Sequence, residues 1–368
     1  MSRFSCLVLM LFAVPVAAQT VGDRQAVLVE EFIYQSAPFP SCHAGTLVET
    51  ADGTIMAAWF GGYFEKHKRV GIWTSRRVDG RWTPPVEVVN GLQADGDYLP
   101  TWNPVLFQPK GGPLMLFFKV GPTPSTWWGE WMISHDNGMT WTDRKKLPDG
   151  GIGPVKNKPI QLPSGEILCP SSNELGGPWL VHLEKTADLG KTWTTTGPLH
   201  TKDEAQAIQP SILTYPDNRL RMLCRNKDSN GKLWQVWSED GGKTWGKFTP
   251  TVLPNPNSGT DAVTLADGRQ LLIYNHTNGK SEDPDKPTGR TMLNLAVTTV
   301  GADGGTDWLA ACIFENTPKA EFSYPAIIQS KDGMVHIIYT WKRQIMKYVK
   351  LDPAKIKGVP MPGGEWPQ

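Results

Sequence analysis

Ser134-His135-Asp136-Asn137-Gly138-Met139-Thr140-Trp141 is followed 52 residues later by Thr186-Ala187-Asp188-Leu189-Gly190-Lys191-Thr192-Trp193. After a second interval of 52 residues comes Ser238-Glu239-Asp240-Gly241-Gly242-Lys243-Thr244-Trp245. Gly301 to Trp308 is a weaker copy, and Ser75 to Trp82 a degenerate one. The shared pattern is S/T-x-D-x-G-x-x-W. It describes a hairpin turn: the Asp carboxylate caps backbone N–H groups, the Gly takes a left-handed conformation and the Trp packs beneath.

Between these copies runs a second repeat. Tight turns fall at Asp52-Gly53, Gly111-Gly112, Ser164-Gly165, Asp217-Asn218, Asp267-Gly268 and Asp332-Gly333, separated by 59, 53, 53, 50 and 65 residues. Each lies between two short apolar runs and reads as a two-stranded hairpin. Six units of about four strands predict an all-β fold, a six-bladed β-propeller whose radial repetition hides its sheet edges. The sixth unit has no S/T-x-D-x-G-x-x-W turn after Trp341. The strand-like run Ala26–Tyr34 is expected to supply its outer strand and close the ring.

Composition agrees with this. The 368 residues include 37 Gly, 31 Pro and 16 Trp, with 39% hydrophobic residues, which suits many short strands with a packed core. Met1 to Thr20 has the form of a secretory signal: Arg3 first, then apolar Phe4 to Val14, then the small residues Val16-Ala17-Ala18. Cleavage near residue 18 leaves one propeller domain over 19–368, exported and secreted or periplasmic. Lys+Arg number 37 against 36 Asp+Glu, and removal of Arg3 makes the charges equal. That balance argues against a nucleic-acid partner or a basic membrane-binding patch. The apolar start is too short to span a membrane. Cys42, Cys169, Cys224 and Cys312 are too few for a disulfide framework; one or two bridges and buried free thiols are both open. No metal or cofactor motif is present.

The tight turns also serve as a ruler for the central axis. Seven residues after each stand Phe60, Lys119, Ser172, Arg225, Asn275 and Thr340. Ten residues before each stand His43, Trp102, Val155, Ile208, Ser258 and Ser323. Neighbours of the latter include Asn103, Lys156, Gln209, Asp261 and Tyr324. Polar residues that recur at these marks, at the ends of apolar runs, predict a concave pocket of basic and hydrogen-bonding groups.

The repeated turn resembles the Asp-box (BNR) motif, and the chain beyond residue 18 resembles the sialidase superfamily of six-bladed propellers. The resemblance implies three arginines that clamp a carboxylate, a Tyr nucleophile activated by a Glu, and an Asp acid/base. Arg225 looks like the second arginine and Arg290, in Gly289-Arg290-Thr291-Met292-Leu293, like the third. Tyr324, in Glu321-Phe322-Ser323-Tyr324-Pro325, looks like the nucleophile. Three positions depart from the family: His43 stands near the first arginine and Gln209 near the activating Glu. The loop after Trp59 offers Glu65, with His67 nearby, in place of the Asp.

Arg225 and Arg290 can hold a carboxylate with bidentate charge-assisted bonds, or form structural ion pairs. Tyr324 can attack an anomeric carbon, hydrogen-bond a substrate or pack a strand. His43 can be a proton carrier or a buried strand residue. As a proton carrier it would resemble propeller enzymes acting on rhamnose linked to glucuronate. Lys119, Lys156, Trp102, Asn103, Asp261 and Asn275 complete the candidate binding set. Trp127, Trp128 and Trp131 read as a sugar-stacking wall or as packing between blades. The polar stretch His276 to Arg290 reads as a rim. Asn275-His276-Thr277 has the form of a glycosylation acceptor, but Asn275 lies on the axial register. Three functions remain open: an exo-sialidase-type glycosidase acting on an acidic glycan, a His-dependent lyase or hydrolase of rhamnosyl-glucuronate glycans, and a non-catalytic glycan-binding propeller.

Overall fold

A computed structural model describes residues 24–174, 177–228, 230–279, 288–299 and 308–367. The candidate signal, most of the fourth turn copy and part of the 276–290 rim lie outside them. The chain forms a six-bladed β-propeller of antiparallel sheets, with almost no helix. Blade 1 is built on Ser41–Glu49, Ile55–Gly62 and Gly71–Val78. Blade 2 has Thr101–Phe107, Leu114–Val120, Trp128–Ser134 and Thr142–Lys146. Blade 3 has Ile160–Gln161, Ile167–Asn173, Leu180–Thr186 and Thr194–Thr196. Blade 4 has Ala207–Thr214, Leu220–Asn226, Lys232–Ser238 and Thr249–Pro254. Blade 5 runs Asp261–Thr264, Gln270–Tyr274, Met292–Thr298 and Trp308–Asn316, and gains a fifth strand, Val359–Pro360, that the repeat does not reveal. Blade 6 has Phe322–Gln329, Val335–Trp341 and Ile345–Leu351.

All six predicted tight turns join the first and second strands of a blade. Ring closure follows the expected route: Val27–Phe32 pairs antiparallel with Ile345–Leu351 as the outer strand of blade 6. The second strands lie between apolar layers. Every residue of Ile55–Gly62 and of Leu114–Val120 is buried, so these strands read as apolar runs without alternation.

The repeated turns have the expected chemistry. Asp136 Oδ1 accepts hydrogen bonds from Ser134 Oγ at 2.7 Å and Thr140 N at 2.8 Å, and Gly138 N donates to Ser134 Oγ at 2.8 Å. Hydrogen bonds from Thr140 and Ser134 hold the Asp136 carboxyl down at about 2. The glycine is required twice over at Gly190. Its φ is +89°, and a Cβ there would lie 2.7 Å from the Trp131 ring of the preceding blade. Trp193, which closes this turn, packs edge-on to Trp131 at 6.3 Å and to Phe117 at 5.9 Å. The box is thus a connector between blades, remote from the axis.

A device not evident in the repeat shapes the axial end. The first strands of blades 1, 2, 4 and 6 each carry an irregularity in pairing, between His43/Thr46, Trp102/Val105, Ile208/Ser211 and Ser323/Ala326. One residue inside each has left-handed φ: Ala44 at 55°, Asn103 at 35°, Gln209 at 54° and Tyr324 at 51°. Such conformations cost a non-glycine residue about 1–3 kcal/mol and re-aim its side chain. Pro104, Pro210 and Pro325 follow three of them; a bulge interrupts the ladder, so a residue without N–H is tolerated there.

The four described cysteines are buried thiols outside any disulfide. No described helix is long and apolar enough to cross a membrane. A cavity of about 540 Å³ lined by Leu47, Leu106, Phe107, Val263 and Ile328 opens at the tight-turn end of the axis. The candidate site lies at the opposite end, where the first strands begin and the second strands finish.

Candidate active site

Tyr324 is the centre of a cluster of polar side chains at this end of the axis. Its bulge on the first strand of blade 6 presents the side chain to the axis, where it is 8% exposed. The phenol oxygen accepts hydrogen bonds from Arg225 Nη1 at 2.7 Å and Gln209 Nε2 at 3.2 Å. With both acceptor positions occupied, its own O–H is directed elsewhere. Arg225 and Arg290 lie over the ring, at 5.8 and 5.5 Å from its centroid. The structure thus brings Arg225, marked by the register, and Arg290, implied by the resemblance, to one tyrosine.

Arg225, on the second strand of blade 4, is braced by Asn257 Oδ1 at 2.8 Å, by Gln209 Oε1 at 3.3 Å and by the ring of Trp179 at 5.2 Å. Arg290 Nη1 donates to Glu321 Oε1 at 3.1 Å. The same oxygen accepts from Arg343 Nε at 2.7 Å and from Ser323 Oγ at 2.8 Å. Burial opposes ionisation of Glu321, yet Arg343 and Arg290 hold its carboxyl below its ordinary value.

Arg343 was not among the sequence candidates. It sits in the three-residue turn Lys342-Arg343-Gln344, the first two at left-handed φ, between the strands Val335–Trp341 and Ile345–Leu351. Cys42 N donates to its carbonyl oxygen at 2.9 Å, so it abuts the His43 strand. A third arginine thus stands beside His43, contributed by the neighbouring blade rather than by blade 1. A signal for it exists: Thr340 is on the axial register, and a short turn leaves the next residues at the same end. Glu65, the carboxylate of the loop after Trp59, accepts from Arg343 Nη1 at 2.7 Å. It therefore belongs to the same chain of charges: Glu65, Arg343, Glu321, Arg290.

His43 is 3% exposed. Its Nδ1 is 3.0 Å from Thr340 Oγ1, and its ring centroid is 4.2 Å from that of Tyr324. Burial, then Arg343, Arg290, Arg225 and Lys156, push its imidazole well below its ordinary value. The side chain is neutral in the free site.

Gln209 is 1% exposed and joins four groups. Besides Tyr324 and Arg225, its Nε2 donates to Glu174 Oε1 at 3.1 Å, and its carbonyl oxygen accepts from Asn157 Nδ2 at 2.8 Å. Lys156 lies 5.7 Å from the Tyr324 ring centroid, but its ammonium is taken up by Pro325 O at 2.6 Å, Thr260 O at 2.8 Å and Asn157 Oδ1 at 2.9 Å. It ties three blades together across the axis and holds the carbonyl that follows Tyr324.

The other predicted residues make their contacts with the scaffold. Asp261 accepts from Ser211 Oγ at 3.0 Å, Lys158 Nζ at 2.9 Å and Ile327 N at 2.9 Å. Asn275 is fully buried and bonded to Ser258, Met292 and Phe322. Lys119 donates to Pro154 O. Trp102 donates to Gly121 O at 2.8 Å and packs on Trp127 at 5.9 Å, next to buried Asn103. Trp127 and Trp131 are buried among neighbouring blades, which favours packing over a sugar wall. Among the described residues no group of three His, Cys, Asp or Glu side chains is placed to hold a metal ion.

The two buried lysines give stability a definite pH dependence. Burial pushes the ammonium groups of Lys119 and Lys156 down to about 7. The unfolded chain, with lysines near 10.4, binds more protons than the native state above that value, so stability rises with pH. Each lysine contributes a slope of up to about 1.4 kcal/mol per pH unit. Above about pH 8.5 the buried thiols of Cys42, Cys169 and Cys224, which burial pushes up, act in the opposite sense. Urea unfolding should therefore show a midpoint that climbs from about pH 7 to about 8.5. In the double variant Lys119→Met, Lys156→Met that climb should disappear.

Comparison with known proteins agrees with this architecture. Residues 53–337 match the family model of the BNR repeat-like domain. No curated protein matches the chain in sequence. A protein of unknown function from Dyadobacter fermentans superposes with a TM-score of 0.69 at 17% identity, covering 89% of this chain and 98% of that one. The intramolecular trans-sialidase of Ruminococcus gnavus gives a TM-score of 0.70 at 15% identity, covering 91% and 100%. The NanB sialidase of Streptococcus pneumoniae gives 0.66 at 14% identity, covering 89% and 71%. At these identities the likeness is one of fold.

Proposed function

Because the chain belongs to the BNR repeat-like domain family, we propose that it is an exo-acting glycosidase that releases a terminal acidic sugar from a glycan. The observation that carries this reading is the phenol oxygen of Tyr324 fixed by Arg225 and Gln209 beneath Arg290, with Arg343 completing the cationic rim. A sugar carboxylate meets the arginines, which sets its anomeric carbon over Tyr324.

In the reaction, Tyr324 Oη bonds to the anomeric carbon as the bond to the leaving oxygen breaks, and water later releases the sugar. His43, whose ring packs on that of Tyr324, takes the phenol proton. It is a weak base in the empty site because of its burial and, after that, the four cations around it. A bound carboxylate offsets that charge, so His43 gains basicity as substrate arrives. Glu65, at the pocket edge on Arg343, is the carboxyl that serves the leaving oxygen.

The test incubates the protein with sialyl and with rhamnosyl-glucuronate oligosaccharides, following released sugars and the ultraviolet absorbance of an unsaturated uronate. Free acidic sugar without that absorbance supports the proposal. Growth of the absorbance would instead identify elimination by His43, and free rhamnose a hydrolase of the second glycan. Binding without any product would identify a lectin-like propeller.

A further inference from the structure

Gln209 Nε2 carries two hydrogens, and the structure uses both. One points to Glu174 Oε1 at 3.1 Å and the other to the Tyr324 oxygen at 3.2 Å. The amide oxygen faces Arg225 Nη1 at 3.3 Å. Gln209 itself cannot swing away: its backbone is in the left-handed bulge, its N–H donates to Ser172 Oγ at 3.1 Å and its carbonyl oxygen accepts from Asn157. The freedom left to it is a half-turn of the amide, which exchanges oxygen and nitrogen. In the orientation seen, the amide donates to the phenol, and the phenol O–H is left for the pocket. In the exchanged orientation the amide oxygen faces the phenol, and the phenol hydrogen turns inward to meet it.

We propose that Glu174 is a positioning residue of the active site: its carboxylate selects the orientation of the Gln209 amide and so decides where the Tyr324 O–H points. An ionised carboxylate only accepts, so it requires the N–H side of the amide. A protonated carboxyl can donate, so it also accommodates the oxygen side, and the orientation is then held by Arg225 Nη1 at 3.3 Å alone. The role rests on the reading of Tyr324 as the reacting group, but the orientation of Tyr324 is measurable without turnover.

The surroundings of Glu174 suit a group that changes state in a working range. Burial pushes its carboxyl up, against the opposing pull of Arg225, Gln209, Lys119 and Lys227. The charged groups that act on it come from blade 2 (Lys119) and blade 4 (Arg225 and Lys227). Arg225 and Lys227 both lie over Trp179, at 5.2 and 4.8 Å from its ring centroid. Around Tyr324 itself stand His43, Lys156, Arg225 and Arg290. His43 stays neutral, and Lys156 changes charge at about 7, so its step in the Tyr324 signal is identified by its loss in Lys156→Met.

The experiment uses the full chain with ¹³Cζ-labelled tyrosine, the Tyr324 resonance being assigned by its loss in Tyr324→Phe. In the wild type this resonance should show a titration step above the ordinary carboxylate range, distinct from the step near 7 that Lys156→Met removes, and kcat should fall about 10-fold with the same midpoint as the Glu174 step is crossed toward acid. In Glu174→Gln that step should be absent, kcat low on both sides of it, and KM changed by less than about 2-fold. Glu174→Asp should keep a titration with a displaced midpoint. If the Tyr324 resonance titrates unchanged in Glu174→Gln, the proposal is overturned. If the step is lost in Glu174→Gln but no glycan is cleaved by the wild type, the glycosidase reading fails and the role of Glu174 in orienting Tyr324 stands.

Discussion

Replacement of Arg225 by methionine should weaken binding of an acidic monosaccharide by at least about 100-fold in calorimetric titration, with little change for the corresponding methyl ester. The guanidinium is the donor shared by the Tyr324 oxygen at 2.7 Å and the Gln209 amide at 3.3 Å, and it lies over the Trp179 ring at 5.2 Å. Its loss removes a charge-assisted pair worth about 2–5 kcal/mol and leaves the phenol oxygen short of a donor. Arg225→Lys should not restore affinity, because an ammonium cannot reproduce the planar fork or the stacking. Equal affinity of Arg225→Met for the acid and the ester, both at the wild-type level, would mean that no carboxylate is held there.

Tyr324→Phe should lower kcat by about 10³-fold or more while KM stays within about 3-fold of the wild type. The substitution removes one oxygen and keeps the ring that Arg225, Arg290 and Lys156 face, so the bulge at φ 51° and the fold are retained. Under elimination by His43 the same variant would keep most of its rate, because no covalent bond to the phenol is made. The size of the loss therefore separates the two chemistries.

The propeller was legible because its signals are local. An Asp that caps a turn, a Gly at positive φ and a Trp beneath need only eight consecutive residues, and they recur in three blades, with weaker copies in two more. The ruler from the tight turns also worked for Arg225, Gln209 and Tyr324, because a regular hairpin carries register without loss. It worked less well for function. Lys156 and Asp261 stand beside the same marks, yet their polar atoms are consumed by backbone and neighbouring side chains. Whether a buried polar group serves a substrate or a scaffold depends on partners from other blades, which register does not state. Arg343 escaped for a related reason: it lies in a turn, three residues beyond the marked Thr340, and reaches the site through its ion pairs with Glu321 and Glu65. Glu174 escaped because its relation to Tyr324 passes through the amide of Gln209. The fifth strand of blade 5 has no repeat to announce it.

The closure of blade 6 has a consequence for how the molecule comes into being. Val27 pairs with Leu351, and Phe32 with Lys347, so the first described strand of the ring waits for one near the far end of the chain. Contacts so distant along the chain are slow to form. Until they do, Ile345–Leu351 presents an open edge, the kind of surface on which chains aggregate. The hairpin that ends this wait also carries Arg343, whose carbonyl receives Cys42 N from the His43 strand. The last joint in the ring and the last cation of the pocket therefore arrive together. A nascent or nicked chain with an open ring has an incomplete pocket, and binding of an acidic sugar becomes a report on closure itself.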